Sequence, residues 1–451
     1  MRGSSSSPSN LRPSSSAQSA IRSPSATSGG NEELPAHISQ QLLDHFFGHA
    51  SQFGWFLHVV RFRHATLLPA RNANRPPPAL LNAVYLCGAM IMRQVTGTNP
   101  YVNECIFLSL ALSDDRTLPL RRPVATSHPE HSSTNIAVSS LSLTSGLHRI
   151  RSAQFVGTPS SFVDSISLTL DAPKDQIEEG ERINGLWAMF TLDRTWAIAF
   201  SVPSIISDSD TFETQIDTPW PLDMTTYEQG PIYPNFRTSF TLHNFMAGIN
   251  TGWPWESQSV LAQLSKASAL FQQASLLGLQ WRPEAQTANT YYADFVAIDQ
   301  RIEEFKEQLY SLENLPQVSS DVVRTMHTIH CLTHAATIQL HAAFSQRNAA
   351  SRNRCFASAK AIMEANAAVQ VHNFLIINPI LGVLWAAASR VFIREIASMR
   401  NAPLEQGPTP EREAEARMGL DQLQAVMAVY APVCGLVNHL FVRLQQERVG
   451  L

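Results

Sequence analysis

The sequence predicts an all-α fold, a multi-helix bundle, and three observations carry that prediction. From Leu34 onward, apolar residues recur at intervals of three and four, the spacing of one helix face. Prolines stand at the openings of two of the longest periodic runs, where a first helical turn tolerates the missing N–H. Strand signals, alternating apolar and polar residues between turn clusters, are scarce.

The elements follow in chain order. Residues 1–33 hold a dozen serines, several prolines and few large apolar groups. Too little surface can be buried there to offset the entropy of ordering, so a disordered tail is expected. In ISQQLLDHFFGHASQF, Ile38, Leu42, Phe46 and His49 fall on one helical face. PPPALLNAVYLCGAMIMRQV reads as a second helix opened by prolines, and YVNECIFLSLALS as a third. Residues 114–171 are rich in Ser, Thr, Pro and His and read mostly as loop, longer than a compact domain usually carries. EEGERINGLWAMFTLDRTWAIAF is the next helix, followed by irregular chain through TPWPLD to about Pro234. Helices are then expected at 256–280, 289–312, 320–345, 352–372, 380–400 and 411–447. The last opens on Thr409-Pro410, an N-cap and a first-turn proline, and carries a stripe of Leu423, Val426, Tyr430, Val433, Val437 and Leu440. Residues 34–448 are thus expected to form one helical domain.

The totals exclude several functions. With 44% hydrophobic and 16% charged residues, the 451-residue chain is globular and large enough to bury a sizeable core. A formal charge of −4 without a basic stripe argues against a surface built to neutralise phosphates. The five cysteines, Cys87, Cys105, Cys331, Cys355 and Cys434, are far apart and lack zinc-knuckle spacing, which suits packed thiols rather than a disulfide framework. The longest apolar window, residues 374–393, is interrupted by Asn378, Pro379 and Arg390 and reads as a core helix rather than a membrane span.

No phosphate-binding glycine loop, nucleophile elbow or H-E-x-x-H occurs. Asp114-Asp115 lacks a third carboxylate at helical spacing, because Leu118 occupies that place. His327, His330, His334 and His341 in MHTIHCLTHAATIQLH share one helical face, and His330 and His334 have the i, i+4 spacing of a metal pair. With no carboxylate beside them and Cys331 expected to point away, the favoured reading is pocket-lining or structural histidines, with no metal and no cofactor. Within LWAMFTLDRTWAIAF, Leu186, Phe190, Asp193 and Ala197 share a buried stripe, whereas Arg194 faces about 100° away. A carboxylate there needs donors or a cation, expected from another helix as an inter-helix tie. No partner acid, base or nucleophile accompanies it, so no catalytic residue is assigned and the chain is expected not to be an enzyme.

ERINGLWAMFTLDRTWAIAFSVPSII followed by DTPWPLD resembles the regulatory "middle homology" domain of fungal zinc-cluster transcription factors. Leu186, Trp187, Phe190, Asp193, Arg194, Pro203, Ser204, Pro219 and Trp220 carry the likeness. LLDHFFGHASQFGWFLHVVRFRH, PPPALLNAVYLCGAM, SGLHRI and HAATIQLH extend it over roughly residues 38 to 445. The resemblance implies an α-helical regulatory domain of a nuclear, DNA-binding regulator of RNA polymerase II genes. It also implies transcriptional partner proteins and a small-molecule effector as candidate partners, with no membrane. In that family a separate module with six cysteines and two zinc ions reads promoter DNA. No such cysteine cluster occurs here, so contact with promoters, and zinc, would come only through a module missing from this chain. In place of a helical pair usual before SGLHRI, this chain has RRPVATSHPEHSSTNIAVSSLSLT, and apolar surface left exposed is the expected consequence. The alternative reading is a helical scaffold or cofactor protein that binds partners without touching DNA.

Overall fold

The computed structural model describes residues 34–96, 143, 145–153, 170–206, 214–230, 232–251, 259–281, 288–314, 319–400 and 410–449. The expected tail at 1–33, the expected third helix at 101–113, Asp114-Asp115 and most of the 114–171 stretch lie outside these residues. The described chain is all-α, and its β pairing is an isolated bridge between Ser152 and Thr238.

An N-terminal layer comprises α1 (Ala36–Phe47), α2 (Val59–Thr66) and α3 (Pro78–Thr96). Leu42, Leu43 and Phe46 of α1 bury against Leu81, Val84, Tyr85 and Ala89 of α3, with Phe62 of α2 beside them. Gly88 permits this packing: a Cβ there would come within 2.3 Å of the Leu42 carbonyl oxygen. His49, expected to complete the α1 stripe, lies just beyond the helix end.

The main body begins with α4 (Gln176–Phe200), whose N-cap Asp175 accepts a 2.9 Å hydrogen bond from the Glu178 N–H. Two short helices, α5 (Met224–Gln229) and α6 (Thr241–Met246), follow in the irregular stretch. Then come α7 (Val260–Gln280), α8 (Ala288–Gln308), α9 (Ser320–His341), α10 (Ala349–Ala368) and α11 (Ile380–Arg400). Ser259, Ser319 and Asn348 cap α7, α9 and α10 with their side chains. α9 is central: Ile329, Leu332, Ala335, Ala336 and Leu340 are fully buried and pack against the neighbouring helices. Gly278 of α7 lets the Gln339 carbonyl of α9 approach to within 2.5 Å of where a Cβ would stand.

The chain expected as one last helix, 411–447, is two: α12 (Pro410–Tyr430) and α13 (Gly435–Val449). Pro432 accounts for the break. It has no N–H for the ladder, its ring would clash with the preceding turn, and it disfavours helix at Ala431. Val433 falls in the break and is 53% exposed, whereas Tyr430 and Val437 on either side are buried. The helices expected over 320–345 and 352–372 are displaced too, ending at His341 and beginning at Ala349, where Asn348 supplies the cap. The apolar window at 374–393 resolves into a loop and then α11, with Leu381, Leu384, Trp385 and Phe392 at most 2% exposed. Among the described residues no helix is long and apolar enough to cross a membrane.

The N-terminal layer is fastened to the body by polar contacts. The His58 N–H donates to Glu181 at 2.7 Å, His58 Nε2 meets Glu228 at 2.7 Å, and Arg61 pairs with Asp175 at 2.9 Å. Arg324 of α9 donates to the Gly48 carbonyl at 3.2 Å. The α1–α3 crossing is the most sensitive point of this layer. Gly88→Ala is expected to destabilise the protein by about 1–3 kcal/mol, the range for overpacking a close contact, measured by urea denaturation.

Candidate functional site

The residues singled out in LWAMFTLDRTWAIAF and TPWPLD form one interlocked unit. Asp193 of α4 is 7% exposed and accepts from the Ser204 hydroxyl, from the Ile205 N–H at 3.0 Å and from the Ile206 N–H at 3.1 Å. Its donors were expected on another helix; they come instead from the turn that directly follows α4. The helix ends with Ser201 in the left-handed region, φ 55°, and the chain reverses through Pro203 to bring those N–H groups back. Three donors on one carboxylate offset its desolvation without a buried cation.

Arg194 serves a different contact. Its guanidinium donates to Gln272 of α7 and lies 4.7 Å over the Phe190 ring. Two turns earlier, the Trp187 indole N–H donates to the Pro219 carbonyl at 2.7 Å, and its ring stacks on Trp220 at 4.2 Å. Lys266 of α7 sits 4.8 Å over the other end of that stack, and Phe245 of α6 meets Trp220 edge-on at 5.7 Å. Leu186 and Phe190 are fully buried beneath. These residues of the motif therefore hold neighbouring helices and loops to α4.

Two supports escaped the sequence reading. Asp217, 3% exposed, accepts from Ser152, from Gln215 and from the Phe240 N–H, while its own N–H donates to the His148 carbonyl. Arg151 forms a two-pronged pair with Glu179 at 2.6 and 2.9 Å and donates to the Tyr233 carbonyl. DTPWPLD and SGLHRI flagged both neighbourhoods, but pairing across such sequence distances leaves no periodic trace.

The four histidines of α9 do not converge. His327 is fully buried and bonds through Nε2 to Asn366 of α10 at 2.8 Å, and the same Asn366 oxygen accepts from Trp385 of α11. Since that oxygen can only accept, the His327 proton lies on Nε2. His330 bonds to the Tyr310 carbonyl, just past α8. His341 bonds to Asp299 of α8 and Ser351 of α10. His334 lies within the electrostatic reach of Lys306 of α8. Cys331, expected to point away, has its Sγ 3.5 Å from His327 Nε2, because i, i+4 brings two side chains together on a helix. Burial raises the Cys331 thiol far above its ordinary range, so it is a protonated apolar group rather than a thiolate. Among the described residues no three His, Cys, Asp or Glu side chains gather as such a metal site would require. Those described cysteines, Cys87, Cys331, Cys355 and Cys434, are free thiols.

The seam between α8, α9 and α10 is an ionic network instead. Arg354 bridges Asp299 at 2.7 Å and Glu303 at 2.5 Å, and Lys306 joins Glu303 to the Thr337 hydroxyl. In the same seam His341 stands between the Ser351 hydroxyl and the Asp299 carboxylate, 3.1 Å from each, and Arg354 shares that carboxylate. No family model, curated protein or solved structure matches the chain.

Two predictions follow from these environments. Asp193→Ala strands the Ile205 and Ile206 N–H groups, at about 1–3 kcal/mol for each buried unsatisfied donor. Thermal melts are expected to show a clear loss, with Asp193→Asn intermediate because one acceptor oxygen survives. The histidines set the acid response. Burial lowers His327 to about 4 and, with Lys306 adding repulsion, His334 to about 3. The unfolded chain therefore takes up these protons near pH 6.5, whereas the folded chain does not until far lower pH. Stability is full above pH 6.5 and declines as pH falls toward 4, with His327 alone contributing about 3 kcal/mol of that decline. His327→Gln is expected to flatten the dependence of melting temperature on pH between 6.5 and 5.

Proposed function

We propose that this chain is the regulatory helical domain of a nuclear RNA polymerase II transcription factor of the fungal zinc-cluster type, without catalysis of its own. The supporting observation is the interlocked unit around α4. All but Pro203 of the residues by which the sequence resembles that family, Leu186, Trp187, Phe190, Asp193, Arg194, Ser204, Pro219 and Trp220, are held to α4 and its neighbours by complementary contacts. A motif whose members brace one another belongs to a body that holds a shape and presents surfaces. In this reading promoter contact comes through a separate DNA-reading module, and the helical body relays partner proteins or an effector.

The test joins the full chain to an unrelated DNA-binding module and measures a reporter in fungal nuclei. The chain is expected to change output several-fold relative to the module alone, and paired Trp187→Ala and Trp220→Ala substitutions, which unstack the clamp, should abolish that change. Unchanged output from a folded fusion would favour the scaffold reading, in which partners are bound without any promoter effect.

A further inference from the structure

A cavity of about 500 Å³ opens between the C-terminal end of α9, the first turns of α10 and one face of α11. That volume lies within the range of small-molecule sites. Part of its wall is apolar, formed by Ile338 of α9, Cys355 of α10, and Ala387 and Val391 of α11, with Gln339, Ser345 and Ser398 also lining it. Burial pushes the Cys355 thiol up to about 12, with Arg394 and Arg354 pulling the other way, so it lines the wall as a neutral group.

Cationic groups line the same space. Arg352, Arg390 and Arg394 contribute to it, with Glu395 the single carboxylate among its lining residues. The nearby carboxylates are already engaged. Glu395, 3% exposed, pairs with Arg412 at 2.7 Å, and Glu447 of α13 takes Arg390 at 3.0 Å. Among the described residues Arg352 and Arg394 have no carboxylate partner, and Arg390 keeps Nη1 without an acceptor. Arg390 and Arg394 are one helical turn apart with Val391 beside them, and Arg352 and Cys355 likewise share a face of α10. Like charges brought together around a concavity raise its potential and favour an anion there. Guanidinium groups grip a carboxylate through paired N–H donors.

We propose that this cavity binds an amphipathic organic anion, a carboxylate head held by Arg352 and Arg394 with its apolar body against Ile338, Ala387 and Val391. The apolar wall selects against simple inorganic anions, and the arginine rim selects against cations of the same shape. Such a ligand would bind whether or not the chain serves transcription, so the two readings fail separately.

Calorimetric titration of the full chain tests this with three probes: dodecanoate below its micellar concentration, dodecyltrimethylammonium and acetate. Dodecanoate is expected to bind one-to-one, more weakly as salt is raised, while the other two show no comparable heat. Arg352→Gln/Arg394→Gln should weaken dodecanoate by about tenfold or more, the loss expected for charge-assisted hydrogen bonds, with an unchanged thermal melt. Should that double variant melt early, Arg394→Gln alone, on an exposed side chain, reads the same loss. Ala387→Leu, which fills the wall, should weaken dodecanoate as well. Equal binding of the cation, equal binding of acetate, no binding of dodecanoate, or undiminished binding by the arginine variants would each overturn the proposal.

Discussion

The carboxylate of Asp193 is the constraint on which the rest of the body depends. α4 is enclosed on nearly every side, and Asn184, Thr191, Asp193, Arg194 and Thr195 are all buried within it. A helix placed so deeply must find a partner for each polar side chain. Thr191 and Thr195 turn back to carbonyls of their own helix, and Arg194 reaches α7. Asp193 likewise carries a charge that its helix cannot satisfy, and the turn at 204–206 closes over it. That closure sets the direction in which the chain leaves α4. Further along, Trp220 lies on Trp187, Lys266 lies over Trp220, and both Lys266 and Arg301 meet the Phe245 ring. The stacking thus reaches from α4 through α6 and α7 to α8.

The all-α class was legible because helical periodicity is local: a few residues at three and four reveal a face whatever it packs against. α4 and α11 were placed within a few residues on that basis, and Asn348 and Pro432 are local signals too, overlooked at the ends of neighbouring runs. What local pattern cannot show is which distant segment satisfies a buried group. Asp193 advertised a need for donors, but Ile205 and Ile206 answer it with backbone N–H groups, which every residue type possesses. Asp217 and Arg151 are invisible for the same reason, since their partners lie up to 85 positions away. The misreading of Cys331 was of another kind. An offset of four residues is only 40° from His327, so the contact was available from helix geometry alone.

Four buried groups share one property: desolvation disfavours their charged forms. Desolvation keeps His327 and His334 neutral at physiological pH and keeps the Cys331 and Cys355 thiols protonated. Enzymes arrange burial so that an acid and a base titrate near working pH beside one another. Here burial pushes His327 and His334 down and Cys331 and Cys355 up, and the His327 partner is the Asn366 amide. Asn366, for instance, joins α9 to α11 through His327 and Trp385 without offering a proton that moves. This chemistry fixes helix positions.

α11 differs because its two faces answer to different neighbours. One turns Ala387, Arg390, Val391 and Arg394 toward the cavity shared with α9 and α10. The same stretch sends Glu395 to Arg412 of α12 and takes Glu447 of α13 onto Arg390. A charge held by Arg352 and Arg394 would alter the field at Arg390 and Glu395, whose ion-pair partners stand on the last two helices. The break at Pro432 leaves α12 and α13 as separate segments rather than one rod. A ligand moves an equilibrium only by its differential affinity for two arrangements. Arg390, shared between a cavity and an ion pair to another helix, is where such a difference would arise.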